Sequence, residues 1–399
     1  MIAIYRILLV LIIALLHVST ATATNGMKII GIGQIQRAMG GANIALPLDA
    51  ACTITTPAGL KAAGKRIDIG LTYFVPDVNY RASGAAFTHP PNTQMTSDTE
   101  LIFIPALGFI YPLSESVTVG VGLYGTSGMG VDYDSNLYGN VTETKYGFVK
   151  LAPAVSYTFG NGLSLGFAPN IDYAIMEFNA GPVDQGAHDN GKAIGWGYTI
   201  GIHYPLTEHF NLGLAYESKQ QFEDFELDTD SGEEHLRFHQ PQSLAAGIAY
   251  MPSPSLRFAF DLVWIDWPQT NGRNKPVFTK HSDTYEPVPW NLDWDEQFVY
   301  KFGLEYDINP TITLRAGYNY GKNPLETTRA FENLAFPAVT EQHFTLGGAY
   351  VLDDNWRLNL GVMYSPSSEI STANQDQFIT SAKTEMKQYS IDFGFSYVF

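Results

Sequence analysis

Residues 388–399 read QYSIDFGFSYVF. Tyr389, Ile391, Phe393, Phe395, Tyr397 and Phe399 fall on one face, and Ser390, Asp392, Gly394, Ser396 and Val398 on the other. Successive side chains of a strand point to opposite faces, so this stretch predicts a strand lying between two different solvents. Residues 298–306, 312–320 and 356–364 repeat the pattern, with Phe302, Leu314 and Leu360 on the apolar face and Lys301, Arg315 and Asn359 on the other. Working outward, the alternation predicts about 14 strands. They span 67–80, 98–112, 117–132, 145–159, 163–178, 192–205, 210–227, 237–251, 255–267, 296–307, 311–322, 340–351, 356–366 and 386–399.

The connections sharpen the fold class. Short turns at Ser114-Glu115, Gly160-Asn161-Gly162, Thr207-Glu208, Pro252-Ser253-Pro254, Asn309-Pro310 and Asp353-Asp354-Asn355 alternate with long connections. The long ones are 81–97, 133–144, 179–191, 228–236, 268–295, 323–339 and 367–385. A soluble sandwich has no reason for that order. A transmembrane β-barrel does, because its periplasmic turns are short and its outer loops long. A strand of about 12 residues at about 3.3 Å each, tilted near 45°, spans the hydrocarbon layer. Closure satisfies every backbone group, which lipid cannot do. Lys or Arg facing lipid at the midplane costs roughly 2–4 kcal/mol. The small-residue face, with Lys150, Arg257, Asp261, Lys301, Glu305, Arg315 and Asp392, is therefore expected to line the lumen. The expected architecture is an all-β transmembrane antiparallel barrel. Phe399 resembles the terminal signature by which barrel-insertion machinery recognises its clients.

Composition agrees. Charged residues are 16% of the 399 and aromatics 13%, while mean hydropathy is only −0.06, which excludes a bundle of apolar helices. A net charge of −17 with 23 Lys and Arg argues against a nucleic-acid surface. One cysteine, Cys52, excludes an intrachain disulfide framework and a multi-cysteine metal site. Residues 1–23 read as a signal peptide, with Arg6, an apolar run Ile7 to Leu16 and Ala21-Thr22-Ala23 before cleavage. The alternative is an uncleaved anchor helix.

Residues 24–65 do not alternate and hold too few apolar residues for a core of their own. Placed before a barrel, residues 66–399, they read as a plug inside it. Gly31-Ile32-Gly33 lacks the third glycine of a nucleotide loop. The run from Asn25 to Leu60, including Arg37, Met39, Gly40, Gly41, Asp49 and Pro57-Ala58-Gly59, resembles the N-terminal hatch of the FadL/TodX family. Residues 123–134, 258–267 and 301–325 resemble further segments of that family. One departure is Thr56, where the family has Asn; its hydroxyl is expected to bond backbone in the hatch turn. The resemblance implies a 14-stranded barrel with an N-terminal hatch in the bacterial outer membrane. It implies passive transport of long-chain fatty acids or other hydrophobic compounds. External loops would capture the ligand, a lumen pocket would bind it, and a kink in the third strand would let it leave sideways.

Glycines interrupt strands, so Gly125, Gly128 and Gly130 are the expected kink. A carboxylate ligand would need a lumen cation, for which Lys150, Lys301 and Arg315 are the candidates; Arg257 and Arg357 fall nearer the periplasmic ends. Arg37 and Asp49 are expected to pair with lumen charges. Balancing of lumen charges is the competing role for all these cations. His235 and His239 read as a surface pair rather than a zinc site. The acidic run 223–235 reads as a solvated external loop, or as a divalent-cation bridge to lipopolysaccharide phosphates. Trp267, Phe278, Tyr285, Trp290 and Trp294 form either an apolar landing site or a loop packing. No cofactor or metal motif appears, and no nucleophile elbow, which leaves an outer-membrane lipase without support. Outer-membrane lipids are the expected surroundings. The competing functions are a general diffusion porin, which needs an open lumen, and an adhesin or structural barrel.

Overall fold

The computed structural model describes residues 25–85, 87, 89–99, 102–133, 142–180, 191–229, 232–280, 287–373 and 379–399. The signal-peptide reading of residues 1–23 and Tyr285 lie outside the described residues.

Among the described residues fourteen long strands form one wall. They are β1 Arg66–Ser83, β2 Ile102–Pro112, β3 Val117–Asp132, β4 Thr142–Thr158, β5 Ser164–Ala180, β6 Gly191–Pro205 and β7 Phe210–Glu217. Then come β8 Ser243–Ser253, β9 Leu256–Ile265, β10 Gln297–Asn309, β11 Ile312–Gly321, β12 Gln342–Val351, β13 Trp356–Ala373 and β14 Ser381–Val398. Each pairs antiparallel with its sequence neighbours, and β1 closes the ring against β14 from Arg66↔Val398 to Ser83↔Ser381. The alternation sorts as charge and size require. Phe393 is 46% exposed to the outside and Leu346 62%, whereas Asp261 and Asp392 are buried within.

Several boundaries differ from expectation. β7 ends at Glu217, not 227, and β8 begins at Ser243, not 237. The alternation does continue past Glu217, but it serves other pairings. Gln221–Phe222 pairs with β6, and Phe225–Thr229 joins Gly232–Arg237, Val277–Lys280 and Val288–Pro289 in a separate four-stranded sheet on the long-loop side. The acidic run is thus largely built into a hairpin, with Asp224 bound by Arg237 and Glu233 by Lys280. Periodicity does not say which sheet a strand joins. β13 and β14 extend further outward than expected, to Ala373 and from Ser381. Their outer ends carry Ser, Thr, Lys and Glu, so the apolar alternation fades before the ladder does.

Residues 25–60 lie inside the barrel and are almost all buried. Short helical turns, α1 Gly33–Ala38, α2 Cys52–Thr55 and α3 Leu60–Ala63, with a 3-10 turn at Pro57–Gly59, fold this segment. The small residues of the inner wall follow its backbone. A Cβ on Gly317 would sit 2.0 Å from the Gly40 nitrogen. Gly317→Val is therefore expected to cost about 1–3 kcal/mol through overpacking. Gly160→Ala, at a position with open space around it, is the control. Thermal unfolding of both variants in detergent checks this; equal midpoints would contradict the close fit.

A cavity between the N-terminal segment and the wall

The N-terminal segment is held to the wall mainly by charge. Arg37 Nε donates to Asp392 at 2.7 Å and Nη2 to Ser390 at 2.8 Å. Thr72 donates to the same Asp392 oxygen at 2.5 Å. Asp261 accepts the backbone N–H of Asn43 at 2.7 Å and of Ile44 at 3.1 Å. Asp68 accepts that of Ala50 at 2.7 Å, and Thr345 Oγ1 that of Gly40 at 3.0 Å. Gly40 and Gly41 have φ of +64° and +83°, and a Cβ on Gly41 would overlap the Ile30 carbonyl.

Two expectations for this segment are corrected. Among the described residues Asp49 makes no hydrogen-bonded pair with a lumen cation, and Arg66 of β1, bound to Asp68, acts on it at longer range. The Asp49 carboxylate takes Gln36 Nε2 at 2.9 Å and the Ala51 N–H at 3.2 Å, because a tight turn keeps it within its own segment. The Thr56 hydroxyl is buried and makes no hydrogen bond among the described residues. The turn is held instead by the Gly59 N–H donating to the Thr56 carbonyl at 2.8 Å. Met39 packs its side chain over Gly303, and Pro57 opens the 3-10 turn against β5 at Gly166.

Between this segment and the wall lies a cavity of about 120 Å³. Ile29, Ile30, Ile32, Ile54, Phe148 and Val299 are among its apolar walls, with Lys28, Glu217 and Lys301 as the charged ones. Lys28 Nζ reaches Glu217 at 2.5 Å and Ser243 at 3.2 Å. The other Glu217 oxygen takes Lys150, which stands opposite Asp172 in the ladder and is itself fully buried. Lys301 Nζ donates to the Ile30 carbonyl at 3.0 Å.

The three candidate cations do not form one site. Lys301 lines the cavity, and Lys150 is committed to Glu217 beside it. Arg315 faces a different cavity of about 640 Å³ on the short-turn side, bound to Glu305 at 2.7 Å and Asn359 at 3.3 Å, with Arg257 and Arg357 nearby. Its height along β11 places it below the N-terminal segment, which alternation does not reveal. Glu217 and Lys28 went unnoticed in the sequence. Glu217 was legible, since Gly213, Ala215 and Glu217 alternate with Leu212, Leu214 and Tyr216. Nothing local marks Lys28 as its partner.

β3 carries a bulge between Gly125 and Ser127 in its pairing with β4. Its pairing with β2 ends at Tyr124↔Ala106. Beyond that, Met27–Ile29 runs along the freed edge. Ile29 N–H donates to Thr126 O at 3.3 Å, and Gly128 N–H to Met27 O at 3.1 Å. From Tyr124 to Val131 both faces of β3 are buried. Of the three glycines expected at the kink, only Gly125 is at the irregularity; Gly128 and Gly130 stay in register with Gly147 and Lys145 of β4. One register shift marks the interruption, while a Cβ on Gly130 would sit 2.3 Å from the Thr144 carbonyl oxygen.

Over the cavity on the long-loop side, the aromatic residues pack together. Trp267 and Trp294 are buried edge to face at 4.9 Å, and Trp290 lies against Phe178 and Phe336 at 5.0 and 5.1 Å. Phe278 also meets Phe178. His235 binds Glu233. Burial, with Lys219 and Arg237 nearby, pushes His239 down to about 4, and its ring accepts the Phe222 N–H at 3.2 Å.

Comparisons with known proteins agree with this geometry. The family described as outer membrane protein transport protein (OMPP1/FadL/TodX) matches residues 10–337. The long-chain fatty acid transport protein of Escherichia coli K12 is 23% identical over 379 residues, covering 82% of this chain and 77% of that one. Outer membrane protein P1 of Haemophilus influenzae is 22% identical over 313 residues, covering 67% of each. Among solved structures, the toluene transporter TodX of Pseudomonas putida superposes with a TM-score of 0.74 at 20% identity, covering 93% of this chain and 99% of that one. A Pseudomonas aeruginosa FadL homologue gives 0.74 at 15% identity, with the same coverage. A barrel closed in this way, with a family match across most of its length, places the chain in the OMPP1/FadL/TodX family of outer-membrane transport proteins.

Proposed function

We propose that this protein carries small, neutral, apolar molecules of about one ring in size across the outer membrane. The observation that supports this reading is the cavity. It holds about 120 Å³ behind mostly apolar walls, close to the roughly 150 Å³ of an engineered cavity that takes one benzene. Its charges are already engaged: Glu217 with Lys28 and Lys150, and Lys301 with Ile30 O. A carboxylate entering here would have to displace Glu217 from Lys28 and Lys150, a costly break of a buried pair, or draw Lys301 Nζ off the Ile30 carbonyl and leave that carbonyl unpaired. A methyl or ring carbon meets no such obstacle and gains about 0.8 kcal/mol per CH₂-sized group. Aromatic hydrocarbons, the cargo named for the toluene transporter, fit better than long-chain fatty acids, the cargo named for the Escherichia coli relative.

The steps follow from position. The partly exposed Phe278 and Trp290 receive the molecule outside, Trp267 and Trp294 being buried in the loop packing, and the cavity holds it. The N-terminal segment acts as a hatch that denies it a watery path, which argues against a diffusion porin. The bulge at Gly125, where β3 parts from β2, lets the molecule pass sideways into lipid once Met27–Ile29 moves aside. Lateral delivery suits an apolar solute, which gains nothing from crossing to water.

Three outcomes are expected. Cells lacking their own transporter should take up toluene faster when they express this chain, with little gain for oleate; the reverse ranking would overturn the cargo assignment. Replacing Lys150 or Lys301 by Met, or Arg315 by Gln, should change binding of oleate and oleyl alcohol alike. A selective loss of the acid by about tenfold, the scale of one charge-assisted hydrogen bond, would restore a carboxylate site. Deleting residues 27–60 should raise ion conductance in planar bilayers, and unchanged conductance would deny the hatch its role.

A further inference from the structure

The ladder between β4 and β5 runs from Thr142↔Ala180 to Leu151↔Ile171, stops, and resumes at Val155↔Phe167. The same register on both sides of the gap sets Pro153 opposite Pro169. Each proline keeps its place against its other neighbour, Pro153 with Val121 of β3 and Pro169 with Tyr198 of β6. In an antiparallel ladder the residues of a hydrogen-bonded pair exchange both N–H···O bonds. Proline has no N–H, so a pair with proline on both sides forms neither. Two carbonyl groups then face one another without a donor from this pair, and the flanking positions, Ala152 opposite Asn170 and Ala154 opposite Ala168, drop out of the paired ladder while keeping the register. Proline is normally confined to edges and bulges of sheets. Here two meet inside a closed wall, where lipid offers no replacement donor.

The ground behind this seam is largely apolar, with Asn170 as its polar member. On the lumen side Ala152, Ala154 and Ala168 are buried, and they share one hydrophobic cluster with Ile29, Ile30, Ile32 and Ile54, which line the cavity. Apolar side chains therefore run from the cavity to the seam, beside Asn170, which is buried opposite Ala152 and donates to Thr199 at 3.2 Å. The segment between them is Cys52–Gly59, a single turn of α2 and the 3-10 turn. Arg37, Asn43, Ile44 and Ala50 are tied to the wall through Asp392, Asp261 and Asp68. Among the described residues no hydrogen bond ties Cys52–Gly59 to β4, β5 or β6; shape alone holds it there, with the Ala58 nitrogen seated over Gly166.

We infer that the Pro153–Pro169 seam is a second lateral opening, through which an apolar molecule passes from the cavity into lipid when Cys52–Gly59 shifts. It is distinct from the freed edge of β3, lying two strand pairs further round the wall and, along β4, about four residues closer to the short-turn side, at Pro153 rather than at Val149, the partner of Gly125. The inference rests on the reading of the protein as a carrier of hydrophobic molecules. The test staples the seam. In this register Ala154 and Ala168 stand opposite one another, and paired strand residues meet the spacing of a disulfide. Toluene uptake by cells expressing Ala154→Cys/Ala168→Cys is expected to fall by about twofold or more on oxidation, as when one of two gates is shut, and to recover on reduction. Pro153→Ala/Pro169→Ala supplies both missing donors and should lower uptake without a cross-link, while raising resistance to heat. If the cysteine variant does not reach the membrane, the alanine variant decides alone. Unchanged uptake in the stapled or the alanine protein would overturn the seam and leave the transport reading standing. Absence of toluene uptake by the unaltered protein would overturn the transport reading, and the seam with it.

Discussion

The backbone hydrogen bond in lipid is the constraint on which everything else rests. No water competes for an exposed N–H or C=O in the hydrocarbon layer, so the wall must satisfy its own groups. The pairing of β1 with β14 along eighteen residues removes the last open edge. Once the ring is closed, each strand has one face in oil and one inside. The outer face is built from Phe, Leu, Ile and Tyr; the inner face is left to Gly, Ala, Ser and charges.

A lumen lined by small residues cannot stay empty of protein and also be dry. The N-terminal segment fills it, and the inner wall is shaped to that segment's backbone at Gly317 and Gly166. Charges inside then come in opposed sets, because an unpaired ion away from water is expensive. Arg37 finds Asp392, Arg315 finds Glu305, and Glu217 is shared by Lys28 and Lys150. The consequence is functional. On the proposed reading, such an interior sorts its cargo by shape and apolarity rather than by charge.

The places where the ladder lapses are as telling as the ladder itself. Beside β3 a stretch of the N-terminal segment supplies the missing backbone partners through Met27 and Ile29. Between β4 and β5 two prolines leave the gap uncovered by any strand. Both lapses adjoin the cavity's apolar lining, which is where a hydrophobic solute would need the wall to give way.

The sequence by itself determined the solvent of each face. It also determined the strand number, the side on which the loops are long, and the buried sign of the inner charges. All of these depend on period two and turn length, which are local. It did not determine partnership. Lys28 and Glu217 are 189 residues apart, and Arg37 and Asp392 are 355 apart. The height of Arg315 below the N-terminal segment, the recruitment of Phe225–Thr229 and Gly232–Arg237 into an outer sheet, and the confrontation of Pro153 with Pro169 are likewise matters of register. Register follows from closing the ring and seating the N-terminal segment within it. A one-residue slip would leave the alternation of each strand intact while moving each of these pairs apart, so only the assembled barrel decides them.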